Sequence, residues 1–404
     1  MTKLNDSITL PNGAVISNRI AKSAMSENLS TKNHEPSQTL INAYAKWAKS
    51  GAGLLVTGNV MIDQKALGEP WNVVVEDRQH LEKLKAWAAS VKDTNTHLWV
   101  QINHPGRQAM DQINSVLKAP SAIPLKSKGR KKATTKIPEA LTEEEIQDII
   151  KRFGITAAVL KEAGFTGVQI HGAHGYLVSQ FLSPYANVRE DQWGGNLENR
   201  ARFVVEVYRE MRKQVGPDFP IGIKLNSADF QKGGFSEEES MQVIQILSKE
   251  GIDLIEISGG TYEAPAMMKG NRKSTREREA YFIEYIEKAR KITDTPLMLT
   301  GGFRTVSVMQ DAVASNELDI IGLGRPFTLF PNIGNEIINE SRSDFKAKMN
   351  TTGVKGIDGL MNIIWYEAQI KRLGLGKNPS LKLSAWSVFF TYFFGIMKFK
   401  FTKK

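Results

Sequence analysis

Apolar residues fall into short runs separated by amphipathic stretches, and this alternation repeats along most of the chain. Ile20–Ser26, Gly53–Asn59, His97–Asn103, Gly167–His171, Pro220–Asn226, Asp253–Ser258, Pro296–Thr300 and Leu318–Leu323 read as strands. Most are short, apolar and β-branched, as strands buried on both faces are. Between them, apolar positions at helical spacing predict helices over 36–50, 77–92, 142–163, 196–215, 236–250, 276–291 and 304–315. The third of these opens on Leu141-Thr142-Glu143-Glu144-Glu145, a capping-box pattern. Before the first strand, Pro11-Asn12-Gly13 between Ser7–Leu10 and Ala14–Ile16 predicts a hairpin. Strands that alternate with helices in this way predict an α/β fold, a (β/α)8 TIM barrel. The barrel with its N-terminal β-hairpin is expected over 1–335. Residues 336–404 are expected to form a C-terminal helical extension ending in an aromatic-rich basic segment. An open doubly wound sheet is the alternative, but Ser23-Ala24-Met25-Ser26 is not the glycine-rich turn such a sheet usually carries after its first strand.

Composition narrows the class. A hydrophobic fraction of 41% and a charged fraction of 24% are those of a globular protein. The chain has no cysteine, which excludes disulfides, Cys-ligated zinc or iron–sulfur clusters and thiol nucleophiles. The formal net charge is +10, but it is local: residues 331–404 carry 12 Lys/Arg against 5 Asp/Glu, and 121–138 carry 6 Lys/Arg and no acid. The remainder is mildly acidic, which argues against a basic nucleic-acid face across a whole domain. MTKLNDSITLPNG has no apolar h-region, so a secretory signal is not expected and a cytoplasmic placement is.

In a barrel the chemistry sits at the C-terminal ends of the strands. Here those ends read Met25-Ser26, Gly58-Asn59, Gln101 to Arg107, His171-Gly172-Ala173-His174-Gly175-Tyr176, Gly301-Gly302-Phe303-Arg304 and Gly322-Leu323-Gly324-Arg325. The last two are glycine-rich loops ahead of helices, where backbone N–H groups can approach a phosphate and the Arg325 guanidinium can add a charge-assisted bond. A tight turn without a ligand is the blander reading. His171, His174 and Tyr176 place two imidazoles and a phenol on one loop, suited to hold a substrate oxygen and supply a proton. A zinc site would need a different ligand pattern, so no metal is expected. Lys224 lies inside the apolar strand Ile221-Gly222-Ile223-Lys224-Leu225, where it must pair with an anion or form a Schiff base.

HGAHGYLVSQFLSPYANVREDQWGGNLENRARF, residues 171–203, resembles the signature of the Old Yellow Enzyme family of FMN-dependent ene-reductases. The resemblance covers roughly residues 5–335. It includes Asn18-Arg19-Ile20, QINHPGR at 101–107, APS at 119–121, LTGGFR at 299–304 and GLGRPF at 322–327. It implies FMN held noncovalently at the barrel mouth, NADH or NADPH as reductant, and an electron-poor alkene as acceptor. By position, Gln101 would contact the flavin pyrimidine, and Ser23, Ala24, Met25 and Gly58 would line the ring. Ser26 would offer a hydroxyl to flavin O4, and Lys224 would lie near N1 and C2=O. Gly301, Gly302, Arg304, Gly324 and Arg325 would surround the phosphate. His171 and His174 would bind the substrate carbonyl oxygen, and Tyr176 would protonate the carbon α to it. The chain departs from the family in Ala24-Met25-Ser26 on the first strand, in Lys224 where an arginine is usual, and in His-x-x-His where many members have His-x-x-Asn. Without cysteine, the resemblance implies the short form of the family, with no iron–sulfur cluster. A flavin demethylase or dehydrogenase on the same barrel, a Schiff-base aldolase using Lys224 and a membrane-associated flavin-binding protein without alkene reductase activity are the alternatives.

Two segments fall outside that scheme. The basic run Lys126–Lys136 reads as a solvated loop or as a patch that steers anionic NAD(P)H. Residues 386–397 are apolar except for Ser387, Thr391 and Gly395, a strip of small residues at every fourth position, and Lys398, Lys400, Lys403 and Lys404 follow. As a helix these twelve residues measure about 18 Å, too short for a bilayer core of about 30 Å. Two readings compete for this segment: an interfacial anchor at the inner membrane face, or a helix packed on the barrel or on a second subunit in a homo-oligomer.

Overall fold

The structure, a computed structural model, describes residues 1–126, 135–260, 283–346 and 348–402. Most of the basic run at 126–136 and the first part of the helix expected over 276–291 lie outside the described residues. The hairpin is present as β1 (Ile8–Thr9) and β2 (Val15–Ile16), paired antiparallel. Its turn uses Gly13 at φ 88°, a conformation open to glycine. The barrel strands follow: β3 (Ile20–Lys22), β4 (Leu54–Met61), β5 (His97–Asn103), β6 (Gly167–Gly172), β7 (Ile221–Asn226), β8 (Leu254–Ser258), β9 (Leu297–Thr300) and β10 (Ile320–Leu323). Each pairs in parallel with its sequence neighbours, and β10 pairs with β3 to close the cylinder.

The helices around it are α1 (Gln38–Trp47), α2 (Leu81–Ala88), α3 (Glu143–Glu162), α4 (Leu177–Leu182), α5 (Leu197–Val215), α6 (Glu237–Glu250), α7 (Ile283–Arg290), α8 (Val306–Ala314), α9 (Arg325–Leu329) and α10 (Ile333–Ile338). The expected capping box is formed: Thr142 accepts from the Glu145 backbone, and the Glu145 side chain accepts from the Thr142 N–H. Ser236 and Glu239 form a second one on α6. The first strand is shorter than its apolar run suggested. Pairing ends at Lys22, and residues 23–26 continue without strand structure, the Ser23 N–H donating to Leu323 O at 3.0 Å.

The two ends of the barrel interior differ in chemistry. Ile8, Leu10 and Ile16 of the hairpin cluster with Ala21, Leu54, Val56, Trp99, Leu254, Met298 and Ile320, so the N-terminal end is sealed by an apolar floor. The polar side chains described below lie above it.

Two further helices, α11 (Lys355–Gly374) and α12 (Ala385–Thr402), complete the chain. α11 packs on α1 so closely that a Cβ at Gly374 would overlap the Thr39 carbonyl. The turn between α11 and α12 is pinned by Gln369, whose amide donates to Ser380 O and accepts from Ser380 N–H, and by Trp365 Nε1–H on Leu383 O. α12 then runs beside the loops after β3 and β4, at the C-terminal end of those strands. Near its end Phe399 is buried edge-on to the rings of Trp71 and His34. No helix among the described residues is long and apolar enough to cross a membrane.

Candidate active site

Side chains two apart on a strand share a face. Above the apolar floor, the inward positions are therefore Gln101 and Asn103 on β5, Gln169 and His171 on β6, Lys224 and Asn226 on β7, Glu256 and Ser258 on β8, and Thr300 on β9. Parallel register sets Gln101 beside Gln169, and Lys224 between His171 and Glu256. The side chains join accordingly. Gln101 Nε2 donates to Gln169 Oε1, and Gln169 Nε2 donates to Glu256 Oε2, both at 2.7 Å. Glu256 Oε1 accepts from Thr300 Oγ1 at 2.6 Å and lies 2.9 Å from Lys224 Nζ. The Thr300 hydroxyl donates its hydrogen bond to Glu256, so Ser23 Oγ, 2.6 Å away, must donate to Thr300. Lys224 and Glu256 are almost wholly buried, and each is the other's counter-charge. This ion pair disfavours the Schiff-base reading, which needs a free amine.

The imidazoles occupy the next turn of the same strand end. His171 Nδ1 lies 2.7 Å from Asn59 Oδ1, His171 Nε2 lies 3.2 Å from His174 Nδ1, and His174 Nε2 lies 2.8 Å from Ser258 Oγ. Asn59 Oδ1 can only accept, so His171 carries its proton on Nδ1 and its Nε2 accepts from His174 Nδ1–H. To receive a carbonyl oxygen, one ring must turn so that an N–H leaves this inter-ring bond. His174 sits at φ 61°, held by its N–H on Asn226 Oδ1 at 3.1 Å. Enclosure by the strand ends, with the Lys224 charge adding to it, pushes the His174 pKa down to about 3. Burial, then the neighbouring His174 and Lys224, puts His171 well below the ordinary imidazole value. Both rings are therefore neutral in neutral solution. Tyr176, the N-cap residue of α4, lies with its ring 4.6 Å from that of His171.

A cavity of about 230 Å³ opens beside this cluster. Ala24, Met25, His174, Lys224, Gly301, Gly302, Arg304, Gly324 and Arg325 line it, so nine of the residues read from the sequence meet in one place. Gly301 and Gly302 both have positive φ, 135° and 91°, which bares their backbone to the cavity. The Arg325 guanidinium lies 5.9 Å above the ring of Tyr366, which α11 brings to the cavity wall. Two guanidinium groups and a glycine backbone at one end, with a buried ammonium at the other, fit the phosphate of FMN and the N1–C2=O edge of its pyrimidine, which gains negative charge on reduction.

The remaining predicted residues do not line this cavity. Gln101 and Ser23 act within the polar chain below it. The Ser26 hydroxyl, expected to face flavin O4, donates to the Glu69 carboxylate. Gly58 packs so closely on Met25 O that a Cβ would clash, and its N–H donates to Glu27 Oε1 at 3.0 Å.

The sequence reading missed a second buried cluster under the first strand. Lys22 Nζ donates to Val56 O at 3.0 Å, stands 3.8 Å from Glu27 Oε1 and lies 4.6 Å over the Trp47 ring. Tyr44 donates its hydroxyl to Glu27. Burial, offset in part by Glu27, lowers the Lys22 pKa to about 8. Lys22 gave the same signal as Lys224, a lysine inside an apolar strand. Gln169, Glu256 and Thr300 were also legible as the inward partners of His171, Ser258 and Met298.

The sequence profile of the NADH:flavin oxidoreductase / NADH oxidase family matches residues 3–343. The chain belongs to that family. It is an FMN-dependent oxidoreductase that uses NADH or NADPH, and its structural neighbours are Old Yellow Enzyme homologues. It is 33% identical over 407 residues to the NADH-dependent flavin oxidoreductase iccE of Talaromyces variabilis, covering 92% of this chain and 98% of that protein. With the NADH-dependent flavin oxidoreductase iliE of Hypocrea jecorina the identity is 35% over 347 residues, covering 80% and 86%. Among solved structures, a 2-naphthoyl-CoA reductase in complex with 2-naphthoyl-CoA superposes with a TM-score of 0.77 at 26% identity, covering 84% of this chain and 52% of that one. The old yellow enzyme homologue from Zymomonas mobilis shares the fold with a TM-score of 0.71 at 24% identity, covering 84% and 94%.

Proposed function

We propose that this protein reduces the C=C bond of an electron-poor alkene, an α,β-unsaturated carbonyl or similar small molecule, with Tyr176 as proton donor. The observation that supports this most is the grouping of two neutral imidazoles and a phenol at the end of β6, beside a cavity suited to FMN. FMN, when bound, would supply the hydride chemistry that links NADH or NADPH to the alkene carbon β to the carbonyl.

The chain's own residues do the rest. Gly301, Gly302, Gly324, Arg304 and Arg325 hold the phosphate. Ala24 and Met25 form the strand-1 side of the ring site, with Ser23 bracing Thr300 beneath it. Gln101 and Lys224 serve the pyrimidine edge, where Lys224 shares its charge with Glu256. To bind the substrate oxygen, His171 turns its N–H away from Asn59 Oδ1 and His174 turns its N–H away from His171 Nε2, and the new bonds strengthen as that oxygen gains negative charge. The rings can do so at neutral pH as neutral imidazoles, without an added positive charge. Tyr176 gives its phenolic proton to the carbon α to the carbonyl and regains one from solvent.

Tyr176→Phe separates the steps. In anaerobic stopped-flow, flavin bleaching by NADH or NADPH is expected to persist, while reoxidation by 2-cyclohexenone slows by roughly 10²-fold or more, the range for loss of a general acid. Equal rates in both half-reactions would remove Tyr176 from its role. A reduced protein that dioxygen reoxidises and no enone does would overturn the alkene reading.

A further inference from the structure

The C-terminal helix was read as either a membrane anchor or a packed helix, and the structure shows that one helix presents two unlike faces. One face belongs to the protein. Ala385, Val388 and Phe399 are buried, and Ser387, Thr391 and Gly395, the strip of small residues, wall a cavity of about 330 Å³ between α12, α11 and the loops after β3 and β4. The other face is open. Trp386, Phe390, Phe393, Phe394 and Met397 are 40–63% exposed and fall at i, i+4, i+7, i+8 and i+11, a single helical stripe. Leu375 and Leu381, on the turn and loop before α12, are each about half exposed. Scattered exposed apolar residues need no explanation, but a contiguous aromatic stripe marks an interaction surface.

Charge identifies what covers it. Residues 368–404 contain eight Lys/Arg and no Asp or Glu, in a chain whose remainder outside its two basic stretches is acidic. A second copy of this chain docking stripe to stripe would bring two such cationic segments together, because an isologous interface repeats the same patch on both sides. An anionic lipid surface instead complements the charge and accepts the aromatic side chains at headgroup depth. The 18 residues of α12 make a rod of about 27 Å, suited to lie in the interface plane.

We propose that the outward face of α12 is a membrane-docking surface for anionic lipid, through which the protein sits peripherally on a bilayer. Lys371, Lys377 and Lys382 are exposed around the same end of the extension and add headgroup attraction. The inward side of α12 meets the loops after β3 and β4, at the C-terminal end of the barrel strands. The proposal stands independently of the acceptor that the enzyme reduces.

The test is co-sedimentation of the full flavin-loaded chain with phosphatidylglycerol–phosphatidylcholine vesicles and with pure phosphatidylcholine vesicles. Binding is expected to the anionic vesicles, weakened by salt. The variant Phe390→Ser/Phe393→Ser/Phe394→Ser should partition more than about tenfold less, because it removes the apolar insertion. Its flavin content and melting profile should stay those of the parent, since these side chains face outward. Vesicles carrying brominated acyl chains should quench tryptophan emission in the parent and markedly less in Trp386→Phe. Absence of binding to anionic vesicles, or equal binding by the triple variant, overturns the proposal. A concentration-dependent dimer that the triple variant loses, without vesicle binding, overturns it in favour of a second copy.

Discussion

The polar chain at the barrel's upper end and the outer face of α12 solve opposite problems. In the barrel, Lys224 and Glu256 are buried and matched to each other, and Gln101, Gln169, Thr300 and Ser23 use their hydrogen-bonding atoms on one another. On α12, aromatic side chains stand in the open beside charges of one sign. The first region is expensive to disturb because removing one partner strands the others in a low-dielectric interior. The second makes little contribution to the fold, so its aromatic side chains are available for a partner outside the chain.

Glu256→Ala should show the contrast at its largest. It leaves Lys224 Nζ, Gln169 Nε2 and Thr300 Oγ1 without their acceptor, and a loss on the order of 3–5 kcal/mol is expected in urea denaturation. A loss below 1 kcal/mol would mean that water replaces the carboxylate and that the chain is not sealed.

Acid probes the same region more gently. The folded pKa values of His174 and His104, about 3 and about 4, lie below the ordinary imidazole value. Below about pH 6.5 the unfolded chain therefore binds protons that the folded chain refuses, and stability falls as pH falls. Each such histidine contributes about 1 kcal/mol per pH unit in that window. His174→Asn should flatten the slope of unfolding free energy between pH 6.5 and 5, and an unchanged slope would mean that His174 charges freely in the native state.

At the small end, Phe394→Ser alters a side chain that is 63% exposed. Its effect on unfolding free energy should stay within about 0.5 kcal/mol, as for other surface changes. A larger loss would mean that the outer face of α12 is covered within the protein itself.

These regions were unequally legible in the sequence. The strands announced themselves through β-branched apolar runs, and the strand ends followed from the barrel rule once the alternation was read. The register of the polar side chains needs only the two-residue period, so Gln169 and Glu256 could have been found beside His171 and Lys224. Glu27 and Glu69 could not, because they lie on loops whose path the period does not fix. The Ser26 hydroxyl turns to Glu69 for the same reason. The helix over 355–374 was not separated from the extension. It brings Tyr366 to the Arg325 end of the cavity and Gly374 against α1, the latter a contact between segments more than 300 residues apart, and no local pattern encodes either.

That last feature bears on how the molecule is made. The first barrel strand is completed on one side by the last, β10, and Tyr366 arrives later still. Chains emerge from the ribosome N-terminal end first. A nascent chain therefore carries His171, His174 and Tyr176 long before it owns the glycines and arginines suited to the phosphate. Cofactor loading is expected to wait until Arg325 and Tyr366 have been made. Ribosome-bound intermediates that lack the last hundred residues should stay colourless whatever the supply of flavin.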